Sequence, residues 1–383
     1  MSKKWVATWS TAPSYSEQRV ESYAHDLTLR YKIHTTISGE KIRLTFSNHV
    51  SKDEAIIDKI SVAPMVDGIT LTDKAVAVTF GGDAKFKMAA GETVTSDEVT
   101  FAATAGDDFA VTLYIGGFVN MAPACAVSGP YTKNQFCRGD SFDKAEFDPA
   151  QSNFTGYCYF LTEVDLLADE NCRSIITYGD SITAQSWPEW LMKNIENKGI
   201  TNVSVARRAV SGSRVLRQYD CVPYYQYGLK GEDRFVREIK TAGADTVVIL
   251  HGVNDIIHPE TDGSNIFRPL SHLPTAEELI EGLRFYADTA RKAGLKVYMG
   301  TIMTIKGWRS YNDFREPIRQ GVNEWIRTTD CIDGVIDFDM YMKSDEDELA
   351  FNPIYDSGDH LHPSTAGAQK MADLAFEKLF EEK

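Results

Sequence analysis

No stretch of this sequence approaches the roughly 18 consecutive apolar residues of a membrane-spanning helix. The N-terminal MSKKWVATWSTAPSYSEQ carries two lysines but no apolar segment behind them. The chain is therefore expected to lack a secretory signal and an anchor, and to be cytoplasmic. Cysteine is sparse and scattered: Cys125, Cys137, Cys158, Cys172, Cys221 and Cys331 include no CxxC pair. That excludes zinc-ribbon spacing and reads as reduced thiols rather than a disulfide frame. Basic charge is also short, with 40 Lys and Arg against 55 Asp and Glu and a formal net charge of -15. Binding to nucleic acid requires a basic footprint, so no nucleic acid partner is expected, and no membrane surface for the same reason. Internal repeats and low-complexity tracts are absent.

What is present has two rhythms. The length of 383 residues and a hydrophobic share of 43% suit two domains with full cores. Up to residue 168 the sequence reads as strands. TLRYKIHTTIS and EKIRLTFSN alternate apolar and polar residues, DFAVTLYIGGF and YCYFLTEVDLL are rich in β-formers, and MVDGIT, FGGDAK and AAGET mark turns. This predicts an all-β sandwich or jelly roll over 1–168, with EFDPAQSNFTG as a loop inside it. From 169 to 383 short apolar runs (RSIITYGD, VSVARRAV, DTVVILHG, KVYMGTIM, GVIDFDMY) alternate with helix-like segments. TAEELIEGLRFYADTARKAG offers a capping box at its start and a glycine at its end. The pattern predicts an α/β domain with a flavodoxin-like, doubly wound parallel sheet.

In such a sheet all strand C-terminal ends share one edge. Three of the five runs end in polar clusters, and the loop after the fifth carries another. They are Gly179-Asp180-Ser181; Gly212 within VSGSR; Gly252, Asn254 and Asp255 within HGVND; and Asp359 and His362 within DSGDHLHPSTAG. A serine hydroxyl is a weak nucleophile that needs an adjacent base. His362 suits that role, with Asp359 orienting it. The backbone N–H groups of Ser181 and Gly212 and the side-chain amide of Asn254 suit an oxyanion hole. Each block taken singly has a plain alternative: a capped turn, a strand-end turn or a surface loop. Their order and convergence favour catalysis.

These blocks resemble the SGNH, or GDSL, family of serine esterases and lipases. GDSI, the glycine of SGS, GVND and DHLHP occur in the family's order, and WVATWSTAP and TFSN resemble the β-sandwich that precedes the catalytic domain in a bacterial subgroup. The resemblance implies Ser181 as nucleophile, Asp359 and His362 completing the triad, and Ser181, Gly212 and Asn254 as oxyanion donors. It implies no cofactor and no metal. His360 is the alternative base, and the family spacing of Asp-x-x-His before Pro363 favours His362. Two departures stand out: Ile182 replaces the eponymous leucine, and ARRAVSGSR puts Arg207, Arg208 and Ser213 around Gly212.

Asp180, Gly252 and Asp255 read as local supports rather than proton carriers. Trp187, His251 and Trp308 are candidate pocket residues, with Tyr224, Tyr225, Met303 and Ile305 nearby. The long segment IIHPETDGSNIFRPLSHLPT is the candidate for substrate selection. The expected activity is serine-dependent hydrolysis of short acyl, chiefly acetyl, esters of a small molecule or oligosaccharide. Lysophospholipase, thioesterase and arylesterase activity are the alternatives within the family. A reading of another class is a carbohydrate-binding protein, with Trp5 and Trp9 as platform, attached to an inactive hydrolase. A homo-oligomer is the protein partner considered.

Overall fold

In the segment Leu27–His34, Leu27, Leu29, Tyr31 and Ile33 alternate with Thr28, Arg30, Lys32 and His34, and the chain forms a strand there. The structure, a computed structural model, describes residues 2–12, 14–15, 23–73, 75–261, 263 and 265–381. Parts of two stretches singled out in the sequence, residues 1, 13 and 16–18 near the N-terminus and 262 and 264 of the long segment, lie outside these. The chain divides into two units, one comprising Met1–Ser174, Ile195–Ala206 and Thr241–Gly243, the other Ile175–Asn194, Arg207–Lys240 and Ala244–Lys383.

The first unit is built on two antiparallel sheets. One runs Lys3–Ser10, Leu161–Asp169, Gly39–Ser47, Thr93–Thr95, with Val99–Ala103 also pairing with Gly39–Ser47. The other runs Ser152–Thr155, Asn134–Arg138, Leu27–His34, Asp108–Ile115, Lys59–Val66. Ile42, Leu44 and Phe46 of one sheet and Leu29, Tyr31, Ile33, Val111 and Leu113 of the other share one core. The outer face of Leu27–His34 is covered too. Buried Arg30 donates to the carbonyls of Lys144 and Ala145 and lies 4.2 Å over the Phe147 ring. The segment EFDPAQSNFTG is not all loop, because Ser152–Thr155 pairs with Asn134–Arg138 as an edge strand. Trp5 and Trp9 form no open platform: the Arg43 guanidinium covers Trp5 at 4.6 Å, and Trp9 packs against the core.

The second architecture is a five-stranded sheet. In chain order its strands are Arg173–Gly179, Val203–Ala209, Ala244–Leu250, Lys296–Gly300 and Gly334–Ile336. In space the order is second, first, third, fourth, fifth, and the third, fourth and fifth pair in parallel. This is the flavodoxin-like order, with a topological switch beside the first strand. Val247 to Leu250 are buried in succession, as a parallel sheet covered on both faces requires. Helix Ala276–Lys292 starts with the full capping box, Thr275 and Glu278 each accepting the other's backbone N–H.

The predicted strand GVIDFDMY is cut short. Asp337 accepts the Met340 N–H and starts a helical turn, Phe338–Met342, so the strand keeps only Gly334–Ile336. The long segment after the third strand is likewise more ordered than a loop. Ile256 and Ile257 belong to the helix Val253–Ile257, and Glu260 N–H donates to the Arg268 carbonyl. Among the described residues no helix is long and apolar enough to cross a membrane.

The segment after the fourth strand is pinned from helix Glu316–Thr328. Asn323 both accepts from Ile302 N–H and donates to its carbonyl, at 2.7 and 2.8 Å. Arg319, with 0% exposure, donates to the Ile302 carbonyl at 2.8 Å and pairs with Glu316 and Asp339. Removing one partner of such a buried network strands the others' charge, so Arg319→Ala should lose about 3–5 kcal/mol in urea unfolding. A loss below about 1 kcal/mol would mean that water already compensates the two carboxylates.

Candidate active site

The first strand runs apolar and buried until Gly179, where a side chain has no room. A Cβ there would lie 2.2 Å from the Leu250 carbonyl oxygen of the third strand. Asp180 then breaks the strand and caps the next turn by accepting the Ile182 N–H at 3.1 Å. Ser181 opens that turn, half-buried, with its Oγ 2.8 Å from His362 Nε2. His362 Nδ1 lies 2.6 Å from Asp359 Oδ2. An ionised carboxylate only accepts, so Nδ1 carries the proton and Nε2 faces the serine hydroxyl as acceptor.

Asp359 is fixed by more than the imidazole. Its Oδ1 accepts from the backbone N–H groups of Leu361 and His362 at 3.0 and 2.8 Å, and from Ser357 Oγ at 3.2 Å. Burial pushes this carboxyl up, but the His362 imidazole and these donors outweigh burial and hold it below the ordinary 3.8. His360, the alternative base, is exposed and turned elsewhere. It adopts a φ of 64°, and its Nδ1 pairs with Asp356 at 2.7 Å.

The second and third blocks are tied to the first and to each other. Val210 N–H donates to the Gly179 carbonyl at 3.1 Å. Gly212 has a φ of 76°, and a Cβ on it would fall 2.1 Å from the Tyr227 ring, so conformation and space both demand glycine. Asn254 is buried on the turn Val253–Ile257, which follows Gly252, and its Nδ2 donates to the Ser213 carbonyl at 3.0 Å. That bond fixes the amide plane and leaves the second Nδ2 hydrogen for another acceptor. Asp255 accepts from Val215 and Leu216 N–H at 2.8 and 3.0 Å, clamping the two blocks together. Burial raises its carboxyl to about 6, despite those donors and nearby Arg214.

The candidate pocket residues separate. Trp187 is not in a pocket: it has 0% exposure, with its indole N–H 3.4 Å from Thr183 Oγ1 and its ring against Phe338. It follows the serine turn closely in sequence but faces the core. Met303 and Ile305 are also core residues. His251 is buried between Tyr286 OH, 3.0 Å from Nδ1, and Ser213, whose Oγ is 3.0 Å from Nε2. Burial, with Arg234 adding to it, lowers its pKa to about 3 and keeps it neutral. Trp308 does reach the site, half-buried, its ring edge-on to the His362 imidazole at 6.2 Å and 81°. Tyr224 and Tyr225 are half-buried, and Tyr224 stacks on Tyr227, the ring above Gly212.

Two arginines that the motifs do not mark for this role hold the serine turn. Arg207 donates to the carbonyls of Ala184 and Gln185 at 3.0 and 2.8 Å and pairs with Glu189 at 2.9 Å. Arg234 donates to the Gly179 carbonyl at 2.9 Å and lies 4.6 Å over the Tyr178 ring. The signal for Arg207 is its place inside an apolar strand, where a charge needs a buried partner. Among the described residues, no group of three or more His, Cys, Asp or Glu could hold a metal ion.

A family model described as GDSL-like Lipase/Acylhydrolase family matches residues 177–370, just over half of the chain. No curated protein matches the chain. Similar solved structures include a GDSL-like lipase from Bacteroides thetaiotaomicron VPI-5482, at 19% identity over 53% of this chain and 85% of that chain, TM-score 0.37. The acetyl xylan esterase AlAXEase is 18% identical over 53% and 98%, TM-score 0.38. A carbohydrate esterase family 3 protein from Talaromyces cellulolyticus is 17% identical over 55% and 97%, TM-score 0.39.

Asp180 provides a test of the electrostatics at the serine turn. Burial raises its carboxyl from 3.8 to about 7, against the Ile182 N–H and the Arg234 charge. The folded state therefore holds a proton that the unfolded chain has released, and stability is lost as pH rises from about 4 to about 7. Asp180→Asn keeps the cap acceptor and removes this slope. Its stability advantage over wild type should grow through that window by up to about 1.4 kcal/mol per pH unit, then level off. Denaturant unfolding at pH 4.5, 6 and 8 checks this, and a difference independent of pH would show that Asp180 is ionised throughout.

Proposed function

The chain belongs to the GDSL-like lipase/acylhydrolase family of ester-hydrolysing serine hydrolases, and on that footing we propose that it cleaves short acyl esters, chiefly acetyl groups on carbohydrates. Ser181 is the nucleophile, His362 the base and then the acid, and Asp359 the group that orients His362. The observation that carries this reading is the continuous Ser181–His362–Asp359 chain of hydrogen bonds, 2.8 and 2.6 Å long.

In the first half-reaction the Ser181 hydroxyl proton passes to His362 Nε2 as Oγ bonds to the ester carbonyl carbon. The carbonyl oxygen becomes an oxyanion, received by the N–H groups of Ser181 and Gly212 and the free Nδ2 hydrogen of Asn254. Collapse breaks the bond to the alcohol oxygen, which takes the proton from His362, leaving Ser181 acylated. Water then attacks the acyl carbon as it gives a proton to His362; collapse breaks the bond to Ser181 Oγ, which takes that proton back, and the acid is released. Each step uses the same imidazole, so its orientation by Asp359 serves both halves.

Tyr227 supports a short acyl group. Its ring packs so closely on Gly212 that even a methyl on the glycine would overlap it, leaving little depth for a long chain on that side.

Ser181→Ala should lower kcat on p-nitrophenyl acetate by at least about 10⁴-fold while leaving unfolding unchanged. Asn254→Ala should cost about 10²–10³-fold. Wild-type rate should fall toward acid with the binding of a single proton, because a protonated imidazole cannot accept the serine proton. Turnover that survives in Ser181→Ala refutes the assignment. An acyl-length series from acetate to palmitate, with acetylated xylo-oligosaccharides alongside, tests the acyl preference, and rates rising toward palmitate would replace acetyl with long-chain substrates.

A further inference from the structure

An oxyanion donor helps most when it already points where the charge will form. Of the three donors in the proposed hole, Asn254 is fixed by its bond to the Ser213 carbonyl, and Ser181 by the capped turn it opens. Gly212 has no such bond. Val210 before it donates to the Gly179 carbonyl, and Ser213 after it donates back to the Val210 carbonyl, each at 3.1 Å. Between these two pinned residues, Ser211 and Gly212 take part in no backbone hydrogen bond among the described residues. Gly212 is buried, and a buried N–H without a protein acceptor is a costly exception in a folded chain. Glycine is also the residue most free to leave its conformation, here a φ of 76°.

What holds Gly212 is a ring. Tyr227 lies against it so tightly that ring atoms Cδ1, Cε1 and Cγ stand 2.1, 2.4 and 2.6 Å from where a Cβ would be. The ring is itself held on several sides. Its hydroxyl accepts from Arg268 Nη2 at 3.1 Å. Tyr224 stacks on it at 5.7 Å and 18°, while Tyr219 and His258 tilt against it at 5.6 and 5.1 Å. Arg268 is buried, its guanidinium 4.1 Å over Tyr224, and Tyr224 OH accepts from Asn265 Nδ2 at 2.6 Å. Arg268 N–H donates to the Asn265 carbonyl at 3.0 Å, so both anchors belong to one bonded turn. A hydroxyl tethered at the far end keeps the near edge of the ring on the glycine.

We propose that Tyr227 is a positioning residue for the reaction: its ring, anchored by Arg268, keeps the Gly212 N–H directed at the forming oxyanion. The proposal rests on the hydrolase reading and deepens it, because Tyr227 lies in none of the motif blocks. Packing does for Gly212 what a hydrogen bond does for Asn254, and no protein acceptor competes with the oxyanion for its N–H. Both half-reactions form an oxyanion. A misplaced Gly212 should therefore lower kcat whichever half is slower and leave KM nearly unchanged.

The test reads kcat and KM on p-nitrophenyl acetate together with inhibition by trifluoroacetone. In the inhibited adduct Ser181 Oγ bonds to the ketone carbon, the hydroxyl proton passes to His362, and the ketone oxygen becomes an oxyanion in the same hole. Tyr227→Ala should lower kcat by about tenfold to thirtyfold, less than the loss of a whole donor, with KM within about twofold of wild type. Its Ki for trifluoroacetone should rise by the same factor, because the adduct imitates the transition state. A merely structural role would leave Ki unchanged, since Ki does not depend on how much of the enzyme is folded. Tyr227→Phe keeps the ring and should retain at least about a third of wild-type kcat. Tyr227→Leu fills the space without a ring face, should behave as Tyr227→Ala does, and carries the test if the alanine variant does not fold. Unchanged kcat and Ki in the folded variant, a loss confined to KM, or a fall in kcat with Ki unchanged overturns the proposal while the hydrolase reading stands. A wild type that neither turns over p-nitrophenyl acetate nor is inhibited by trifluoroacetone overturns both.

Discussion

The close approach of the first and third strands at Gly179 sets the geometry of the serine turn. With the Leu250 carbonyl 2.2 Å from where a Cβ would stand, only glycine lets the two backbones come this close. The Gly179 carbonyl then receives Val210 N–H and the Arg234 guanidinium. One residue without a side chain thereby joins the strand before Ser181, the segment before Gly212 and the helix carrying Arg234. Ser181 inherits its place from that junction.

Around the junction, buried polar groups bind backbone more than one another. Arg207 and Arg234 donate to carbonyls, while Asp180 and Asp255 accept backbone N–H groups. Such bonds tie these side chains to the backbone around the serine. Donors held in a water-poor site need not reorganise when charge develops, which is the main source of electrostatic stabilisation in acyl transfer. Both arginines also face a carboxylate, Arg207 that of Glu189 and Arg234 that of Glu238.

Much of the architecture is legible in the sequence because its signals are local. The capping box at Thr275 and Glu278 needs only four consecutive residues, and the alternation in Leu27–His34 shows the core face directly. GVIDFDMY misleads because Asp337 serves as a cap, a role its apolar neighbours hide. The motif blocks mark Ser181, Gly212, Asn254, Asp359 and His362 as candidates, but motifs say nothing of direction. Trp187 and Trp308 look equally suited to a pocket, yet only the tertiary packing turns one to Phe338 and the other to His362. Arg234 is harder still, since a charged residue on a helix reads as solvent-facing until its buried acceptors are known, whereas Arg207 is at least flagged by its apolar strand.

His362 and Asp359 are separated by two residues, and the bonds that align them lie within the same loop. The acid and the imidazole thus form a preassembled local unit. Within the Ser181–His362–Asp359 relay, only one long-range distance, from Ser181 to His362 across 181 residues of sequence, must then be set by the rest of the molecule. A three-part relay distributed over three elements would need two such distances to be correct together. Here the tolerance of the relay to drift elsewhere in the fold reduces to a single coordinate, while the separate bonds Val210–Gly179 and Asn254–Ser213 hold the other two blocks in place.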